Sequence, residues 1–433
     1  MNKKIASFFN KHHFDLDVDV SSISDRILYD MNLGLFGGEQ KAGQDMFRTW
    51  MLPPQNPPIN EKVIVIDAGG TNFRSCLVTF DSKGDFSISD FKKTSMPGVE
   101  RELSKKEFFE KLADNIDYLK NKADRIGFCF SYAMNITEDG DGIPNAFSKE
   151  IKAQEVIGCP VGKCLCEELE KRGWNKIKKI ALLNDTVAAL LAGKCAAKAG
   201  TSYSSYIGFI LGTGINAAYI QPEIKSKNTN NIIKNQIIVC EAGKCDKIPL
   251  SDFDISFDKK TLVPGDYKLE KQCSGAYLGN LTLEVLRYAA GEGLFSQECA
   301  KNIMELKSLS LIEMDAFLYQ PFASGSLDVL CHNDDDRRTF YEIFSAIIRR
   351  CALNASAILS SAAIQSGAGK DPLHPLLILC NGTTFFKTHK LRSQIEAYLT
   401  DYLTQKKEIH FELLSLEDDI TLGTAIAGLR EPQ

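Results

Sequence analysis

Ile66-Asp-Ala-Gly-Gly-Thr-Asn72 and, 144 residues later, Ile210-Leu-Gly-Thr-Gly-Ile-Asn216 are the stretches on which the fold turns. Val63-Ile-Val-Ile-Asp67 leads into the first, and Phe73 to Phe80 leaves it. Tyr206 to Leu211 leads into the second, and Ala217 to Ile220 leaves it. Apolar, β-branched runs parted by a glycine-bearing turn read as hairpins. At the fixed offset Gly70 matches Gly214 and Asn72 matches Asn216. Self-similarity on this scale predicts a duplicated domain with two glycine turns facing across a cleft, not a solenoid. Two hairpins sharing turn chemistry by chance would give the same echo, so the repeat alone leaves both readings open.

Working outward, Ile23, Ile27, Leu28, Met31 and Leu33 fall near three-four spacing after Ser21-Ser22 caps, which predicts helix over 20–50. Met51-Leu-Pro-Pro-Gln-Asn-Pro-Pro58 is a rigid extended connector and marks a boundary. Beyond the first hairpin come a strand Arg125–Phe130, a helix Val161–Arg172 and the apolar strand Lys179–Leu183. That strand ends at Asn184-Asp185-Thr186 and flows into a small-residue helix, Val187–Ala197. Residues 281–361 are helical in period, Leu376–Cys380 is a buried strand before Asn381-Gly382-Thr383, and Thr421–Gly428 is a small-residue helix. Strands alternate with helices, so the class is α/β.

At 433 residues the chain accommodates two or three domains, or one large bilobal α/β enzyme. Hydrophobic content of 44% and charged content of 25% exclude disordered, collagenous and membrane classes. A net charge of −5, without a basic run longer than two residues, argues against nucleic acid as a partner. Thirteen cysteines, an odd number, include Cys76, Cys129, Cys240, Cys273 and Cys380 in apolar runs. They read as buried thiols in a reducing cytosol. Cys164-x-Cys166 and Cys240-x4-Cys245 lack partners at zinc spacing, so no protein-bound metal is expected. The apolar stretch Ile5–Phe9 is too short for a signal peptide, and no run approaches the ~20 apolar residues of a membrane span. The expectation is a cytoplasmic protein with no membrane partner.

Gly69-Gly70-Thr71 after a strand can present N–H groups and a hydroxyl to phosphate oxygens, since glycine allows close main-chain approach. Asp67 at the strand end can hold Mg²⁺ through water, with Arg74 adding positive charge. A plain type I′ hairpin also favours glycine. Gly212-x-Gly214-x-x-Ala217 nominally fits a dinucleotide fingerprint, but it opens a strand and lacks the acidic residue about twenty positions on. Gly367-Ala-Gly-Lys370 lacks P-loop spacing and reads as a loop. Asn184-Asp185-Thr186 sits at a strand's carboxyl end, where open α/β sheets bind ligands. An Asp there can take a proton from a hydroxyl nucleophile, or Asp185 or Asn184 can simply cap the helix; local sequence leaves these level.

Taken together, these motifs resemble the hexokinase family, sugar kinases of the actin-like ATPase superfold. Asp67-Ala-Gly-Gly-Thr-Asn-Phe-Arg74 resembles its first phosphate motif, and Phe128-Cys-Phe-Ser131-Tyr132 its Phe-x-Phe-Ser-Phe-Pro sugar loop. Phe147-Ser148-Lys149 stands where the family has Trp-Thr-Lys. Asn184-Asp185-Thr186-Val187 and Gly212-Thr-Gly-x-Asn216-Ala217 match its catalytic and second phosphate motifs. Cys240-Glu241-x-Gly243 is similar to Glu-Trp-Gly, and Glu270-Lys271-x-x-Ser274-Gly275-x-Tyr277-Leu278-Gly279 to Glu-Lys-x-x-Ser-Gly-x-Tyr-Leu-Gly. Departures are Tyr132-Ala133 for Phe-Pro, Phe147 for Trp, Glu150 for Gly, Asn381 for the Asp of Asp-Gly-Thr, and Asp418-Asp-Ile-Thr-Leu-Gly423 for Gly-Ser-Gly-Lys-Gly.

The resemblance implies a bilobal actin-like ATPase fold, with duplicated mixed-sheet domains around a central cleft, one catalytic unit long. It implies a small lobe of 61–184 joined by a returning C-terminal helix (419–433), a large lobe of 185–418, and an N-terminal helical segment (1–60) on the large lobe. The implied activity is transfer of the γ-phosphoryl of ATP, carried with Mg²⁺, to the 6-hydroxyl of a hexose in carbohydrate metabolism, with glucose the expected sugar. Another hexose, an amino sugar, or a silent sensor on the same fold are the alternatives. Asp185 would be the general base and Lys149 a charge stabiliser near the phosphoryl group. Ser131, Tyr132, Ser148, Lys149, Asn184, Asp185, Asn216, Glu241 and Glu270 would bind sugar. Asp67, Gly69, Gly70, Thr71, Asn72, Arg74, Gly212, Thr213, Gly214, Gly275, Gly382 and Thr383 would cradle the nucleotide.

Overall fold

A computed structural model describes residues 2–37, 41–147, 151–195, 200–225, 232–325 and 327–430. Two sheets dominate it. The first contains β2 (Lys62–Gly69), β3 (Asn72–Phe80), β4 (Phe86–Ser95), β5 (Arg125–Phe130) and β8 (Lys179–Leu183) in the order β4-β3-β2-β5-β8. The second contains β1 (Phe47–Arg48), β9 (Ser205–Leu211), β10 (Ile215–Gln221), β13 (Gln236–Val239), β14 (Leu376–Asn381) and β15 (Phe411–Leu414) in the order β1-β13-β10-β9-β14-β15. In both, an antiparallel meander of three strands is extended by two parallel strands on the side of its first member. Two small ribbons, β6–β7 (Met134–Ile136, Gly142–Pro144) and β11–β12 (Ile224–Lys225, Ile232–Ile233), decorate the lobes. The duplication is thus one of topology: β2 corresponds to β9, β3 to β10, β4 to β13, β5 to β14 and β8 to β15.

The register does not keep the 144-residue offset. Asn72 opposes Gly69, whereas Asn216 opposes Ile210. The first hairpin closes on the two residues Gly70 and Thr71, and the second opens into the loop Gly212–Gly214.

Helices cover the sheets: α1 (Lys3–Lys11), α2 (Val20–Phe36), α3 (Lys105–Ile116), α4 (Val161–Lys171), α5 (Asp185–Cys195), α6 (Asp252–Asp258), α7 (Lys268–Cys273), α8 (Leu278–Gly291), α9 (Gln297–Glu305), α10 (Leu311–Tyr319), α11 (Asp334–Ser366), α12 (Thr383–Lys387), α13 (Leu391–Leu399) and α14 (Asp419–Leu429). The helix expected over 20–50 stops at Phe36, where Gly37 takes φ +74°, and Phe47–Arg48 is a strand instead. Its cap is Asp19, which accepts from the Ser21 N–H, not the two serines. The Asp19 carboxylate, two positions before Ser21, satisfies one of the orphan N–H groups of the first turn.

Ile5, Phe8 and Phe9 of α1 and Ile23, Ile27 and Met31 of α2 are buried in the same core as β9, β10 and α11. His12 anchors α1 between Asp252 of α6 (3.0 Å) and Glu292 after α8 (2.7 Å). A separate core joins β2, β5 and β8 to α3 and α4. A third lies between the lobes, formed by Val63 and Val65, Val187 to Ala192 of α5, Leu377 and Leu379 of β14, and Leu422 to Ala427 of α14. There α14 crosses α5 at backbone contact: a Cβ on Gly423 would lie 1.8 Å from the Ala188 carbonyl oxygen.

All thirteen cysteines are free thiols. Contrary to the expectation of no span-like run, α11 carries a window long and apolar enough to cross a membrane, of which 89% is buried inside the protein. It is the central helix of the large core.

Candidate active site

The strand ends and glycine turns of both sheets converge on the cleft above the α5–α14 crossing. At the first turn Gly70 takes φ +56° while Thr71 does not adopt positive φ. Type I′ needs both central residues at positive φ, so the plain I′ hairpin is not what forms. The sugar-loop strand packs directly beneath: the Ser131 N–H donates to the Ala68 carbonyl at 3.0 Å, and a Cβ on Gly69 would meet the Ser131 Cβ at 3.1 Å. Tyr132, buried, donates its hydroxyl to the Gly70 carbonyl at 2.9 Å. That hydroxyl therefore bridges the strand end at Phe130 to the first glycine turn. Its ring lines a small cavity between the lobes together with Asn184 and Glu241, over apolar Phe47, Met134 and Val239.

Asp67 and Arg74, expected to act separately, pair with each other at 2.7 Å. Burial raises the Asp67 pKa, and Arg74 opposes the rise.

The second turn is held open from the large lobe. The Gly275 N–H and the Thr384 hydroxyl both donate to the Gly212 carbonyl, at 2.8 Å each, and the Ala276 N–H reaches the Thr213 carbonyl at 3.2 Å. Gly275 sits so tightly that a Cβ would come within 2.6 Å of Thr384 Oγ1. Gly382 takes φ +114° with a notional Cβ 2.2 Å from the Leu211 carbonyl oxygen, so only glycine permits β14 to pass into α12 here. Thr383 opens α12 beside it.

Asp185 is the first residue of α5 and lies partly exposed on the cleft floor. Of the two capping expectations it is Asn184, just before the helix, that caps it, while Asp185 accepts only from its immediate neighbour. The Thr186 N–H donates to Asn184 Oδ1 (2.9 Å) and to Asp185 Oδ1 (2.8 Å), and the Thr186 hydroxyl donates to Asn184 Oδ1 (2.6 Å). Asn184 thereby contributes its amide N–H groups to any ligand. Asn216 faces Glu241, donating to its Oε1 at 3.0 Å, while Asn216 Oδ1 accepts from the Ala217 and Ala242 N–H groups. Glu241 is held at φ +45°, an uncommon conformation for a residue with a side chain and one that marks functional positions. Glu270, from α7, accepts from the Ile215 N–H at 3.2 Å and packs against Gly214 and Gly243.

Three carboxyls here are pushed up to about 7. For Asp185 the cause is burial, opposed by the Thr186 N–H and reinforced by the charges of Asp67, Glu241 and Asp419. For Glu241 it is burial, opposed by Lys244 and Asn216. For Glu270 it is burial, opposed by the Ile215 N–H and Lys271. Protein replaces their hydration without supplying enough donors, and a polyhydroxylated ligand would supply them. A carboxylate with a pKa near neutrality is also matched to taking a proton in a reaction at neutral pH.

Ser148 and Lys149 lie outside the described residues. Sequence reasoning passed over Thr384, which clasps the second turn; Lys244, three residues beyond Glu241 and paired with Asp45 at 2.6 Å; and Asp419. Asp419 had a topological signal, since it begins the helix after β15 as Asp185 begins the helix after β8.

Comparison with known proteins agrees with this geometry. Two hexokinase family models match, one over residues 5–195 and one over 206–429. Hexokinase-1 of Schizosaccharomyces pombe is 25% identical over 428 residues, covering 94% of this chain and 87% of that one. Hexokinase of Schistosoma mansoni is 30% identical over 299 residues, covering 64% and 63%. Glucokinase-1 of Kluyveromyces lactis is 26% identical over 434 residues, covering 90% and 89%. The solved structure of the S. mansoni hexokinase complexed with glucose shares the fold at a TM-score of 0.74 and 23% identity, covering 98% of this chain and 99% of that one. With duplicated lobes, paired glycine turns and both family models matched in order, the chain belongs to the hexokinase family.

Proposed function

We propose that the protein transfers the γ-phosphoryl of ATP to the 6-hydroxyl of a hexose, with glucose the preferred sugar. The observation that carries this is the position of Asp185: a carboxyl with raised proton affinity on the cleft floor, between the glycine turns and Asn216, Glu241 and Glu270. In this reading Asp185 accepts the hydroxyl proton as the oxygen attacks phosphorus, and the ADP oxygen leaves in line. Glu241, Glu270 and the amides of Asn184 and Asn216 take the remaining hydroxyls, since carboxylates accept and amides bridge. Gly70, Thr71, Gly212 and Thr213 leave room for the phosphates, with Gly382 letting the Leu211 backbone approach behind the second turn. Mg²⁺ arrives with the nucleotide as substrate. The free thiols support a reducing compartment, in keeping with a cytoplasmic enzyme.

A coupled kinase assay over glucose, mannose, fructose, galactose and glucosamine tests the reading. Glucose should give the largest kcat/KM; phosphorylation of none would refute it. Glu270→Gln should raise KM for the sugar more than for ATP, because a site built to pair a hydroxyl discriminates through its buried polar groups. An equal rise in both constants would indicate a folding defect.

The Tyr132 bridge gives a second expectation. Tyr132→Phe removes one hydrogen bond of about 0.5–1.5 kcal/mol and frees the Gly70 carbonyl. The KM for ATP should rise several-fold while the melting temperature falls by no more than about 4 °C. A change confined to the sugar KM would place the hydroxyl's role at the sugar instead.

A further inference from the structure

Asn381 ends β14 in the large-lobe sheet, and Asp419 begins α14, the helix that lies on the small-lobe sheet. The Asn381 amide donates to both carboxylate oxygens of Asp419, at 2.6 and 2.8 Å, and the Ile420 N–H adds a third bond at 2.8 Å. Asp419 is 3% exposed, so these bonds hold a carboxylate away from water at the lobe boundary. Charge-assisted hydrogen bonds are the stronger kind, and a buried carboxylate without them is expensive.

The position is distinctive. α5 and α14 cross at Ala188 and Gly423, close to their first residues, Asp185 and Asp419. One residue beyond Asn381, Gly382 presses on Leu211 at the second glycine turn, and Thr384 bonds Gly212. The pair therefore ties α14 to the strand end that shapes this turn.

We propose that Asn381 and Asp419 form a positioning pair for phosphoryl transfer: the amide holds the carboxylate across the lobe boundary, fixing α14 against the second glycine turn and setting a negative charge facing Asp185. Burial is the largest influence on Asp185, the Thr186 N–H of its own helix opposes it, and the charges of Asp67 from β2, Glu241 after β13 and Asp419 from α14 add to it. The Cys129 thiol of β5 is the other titratable group that interacts with Asp185. Asp418 is the charged neighbour of Asp419 itself. The inference rests on Asp185 being the base.

The test uses the full chain with MgATP and glucose, comparing Asp419→Asn, Asn381→Ala and the double variant with the parent. Asp419→Asn removes the charge and should move the acid limb of kcat to lower pH by several tenths of a unit, because Asp185 then ionises more readily. Asn381→Ala should raise the ATP KM several-fold with the glucose KM nearly unchanged. The double variant should show less than the sum of the two effects, as coupled neighbours do. An acid limb unmoved in an Asp419→Asn protein that melts with the parent overturns the pair. If that variant does not fold, Asn381→Ala decides: an unchanged ATP KM overturns the proposal. Normal turnover in Asp185→Asn would instead overturn the base assignment, while an inactive Asp185→Asn with an unshifted Asp419→Asn overturns the pair alone.

Discussion

Replacing Asp185 with asparagine should lower kcat by ~10²-fold or more, the usual cost of losing a positioned general base. Sugar affinity falls far less. The Asp185 Oδ1 accepts the Thr186 N–H at 2.8 Å, and asparagine keeps an oxygen for that bond, so the start of α5 stays in place. The pH dependence supplies the sign. The Asp185 carboxyl is raised to about 7, so its base form is lost as pH falls through neutrality. In the parent protein kcat/KM for the sugar should decline at least about tenfold per pH unit below that point, because kcat/KM reports the free enzyme and one essential base already requires that slope. Glu241 and Glu270 are raised to the same range, so kcat/KM for the sugar should fall more steeply than kcat. The midpoints belong to the interacting set of carboxyls, not to one residue. Steady-state assays across neutral pH, with glucose binding followed separately, check each statement. Near-normal turnover in Asp185→Asn would remove it from the mechanism.

Gly423→Ala should be the most damaging substitution of a single methyl group. Helix propensity alone predicts a gain of ~1 kcal/mol for alanine over glycine within α14. Tertiary contact reverses the sign. The added Cβ would stand 1.8 Å from the Ala188 oxygen and 2.5 Å from its carbonyl carbon, and both are backbone atoms of α5. No rotamer change relieves that clash; the helices must separate. Overpacking of a tight core typically costs ~1–3 kcal/mol and occasionally more, and this site falls at the upper end. The crossing also floors the cleft, so kcat should drop with the melting temperature. Gly291→Ala is the control: its Cβ would meet nothing within 4 Å, and it should leave stability unchanged or improve it. Equal melting temperatures for the two variants would show that the crossing yields.

The segments flanking both glycine turns and the apolar strand before Asn184-Asp185-Thr186 were legible because each residue there answers to its own surroundings. β-branched side chains fill the buried strand β2, apolar ones fill β8, and glycine occurs where backbone meets backbone. The ordered motifs also carried the family and the membership of the cleft. Other elements left weaker local traces. β4, Phe86–Ser95, is an edge strand exposed along most of its length, so no alternation of polar and apolar residues announces it. The echo between the two turns was visible, but not the register change, which depends on Gly275, Ala276 and Thr384 drawing the second turn open.

What the sequence by itself determined was the α/β class, the repeat, and the residue types available to a kinase cleft, because strand burial, turn chemistry and motif order are properties of short segments. Tertiary structure alone decided that Arg74 pairs with Asp67, that the Tyr132 hydroxyl bonds the Gly70 carbonyl of the first glycine turn, and that the charge of Asp419 adds to those acting on Asp185. Those outcomes follow from where α14 crosses α5 and where β14 delivers Asn381. A contact between residues far apart in the chain is set by how helices and sheets pack, and no local pattern encodes that distance.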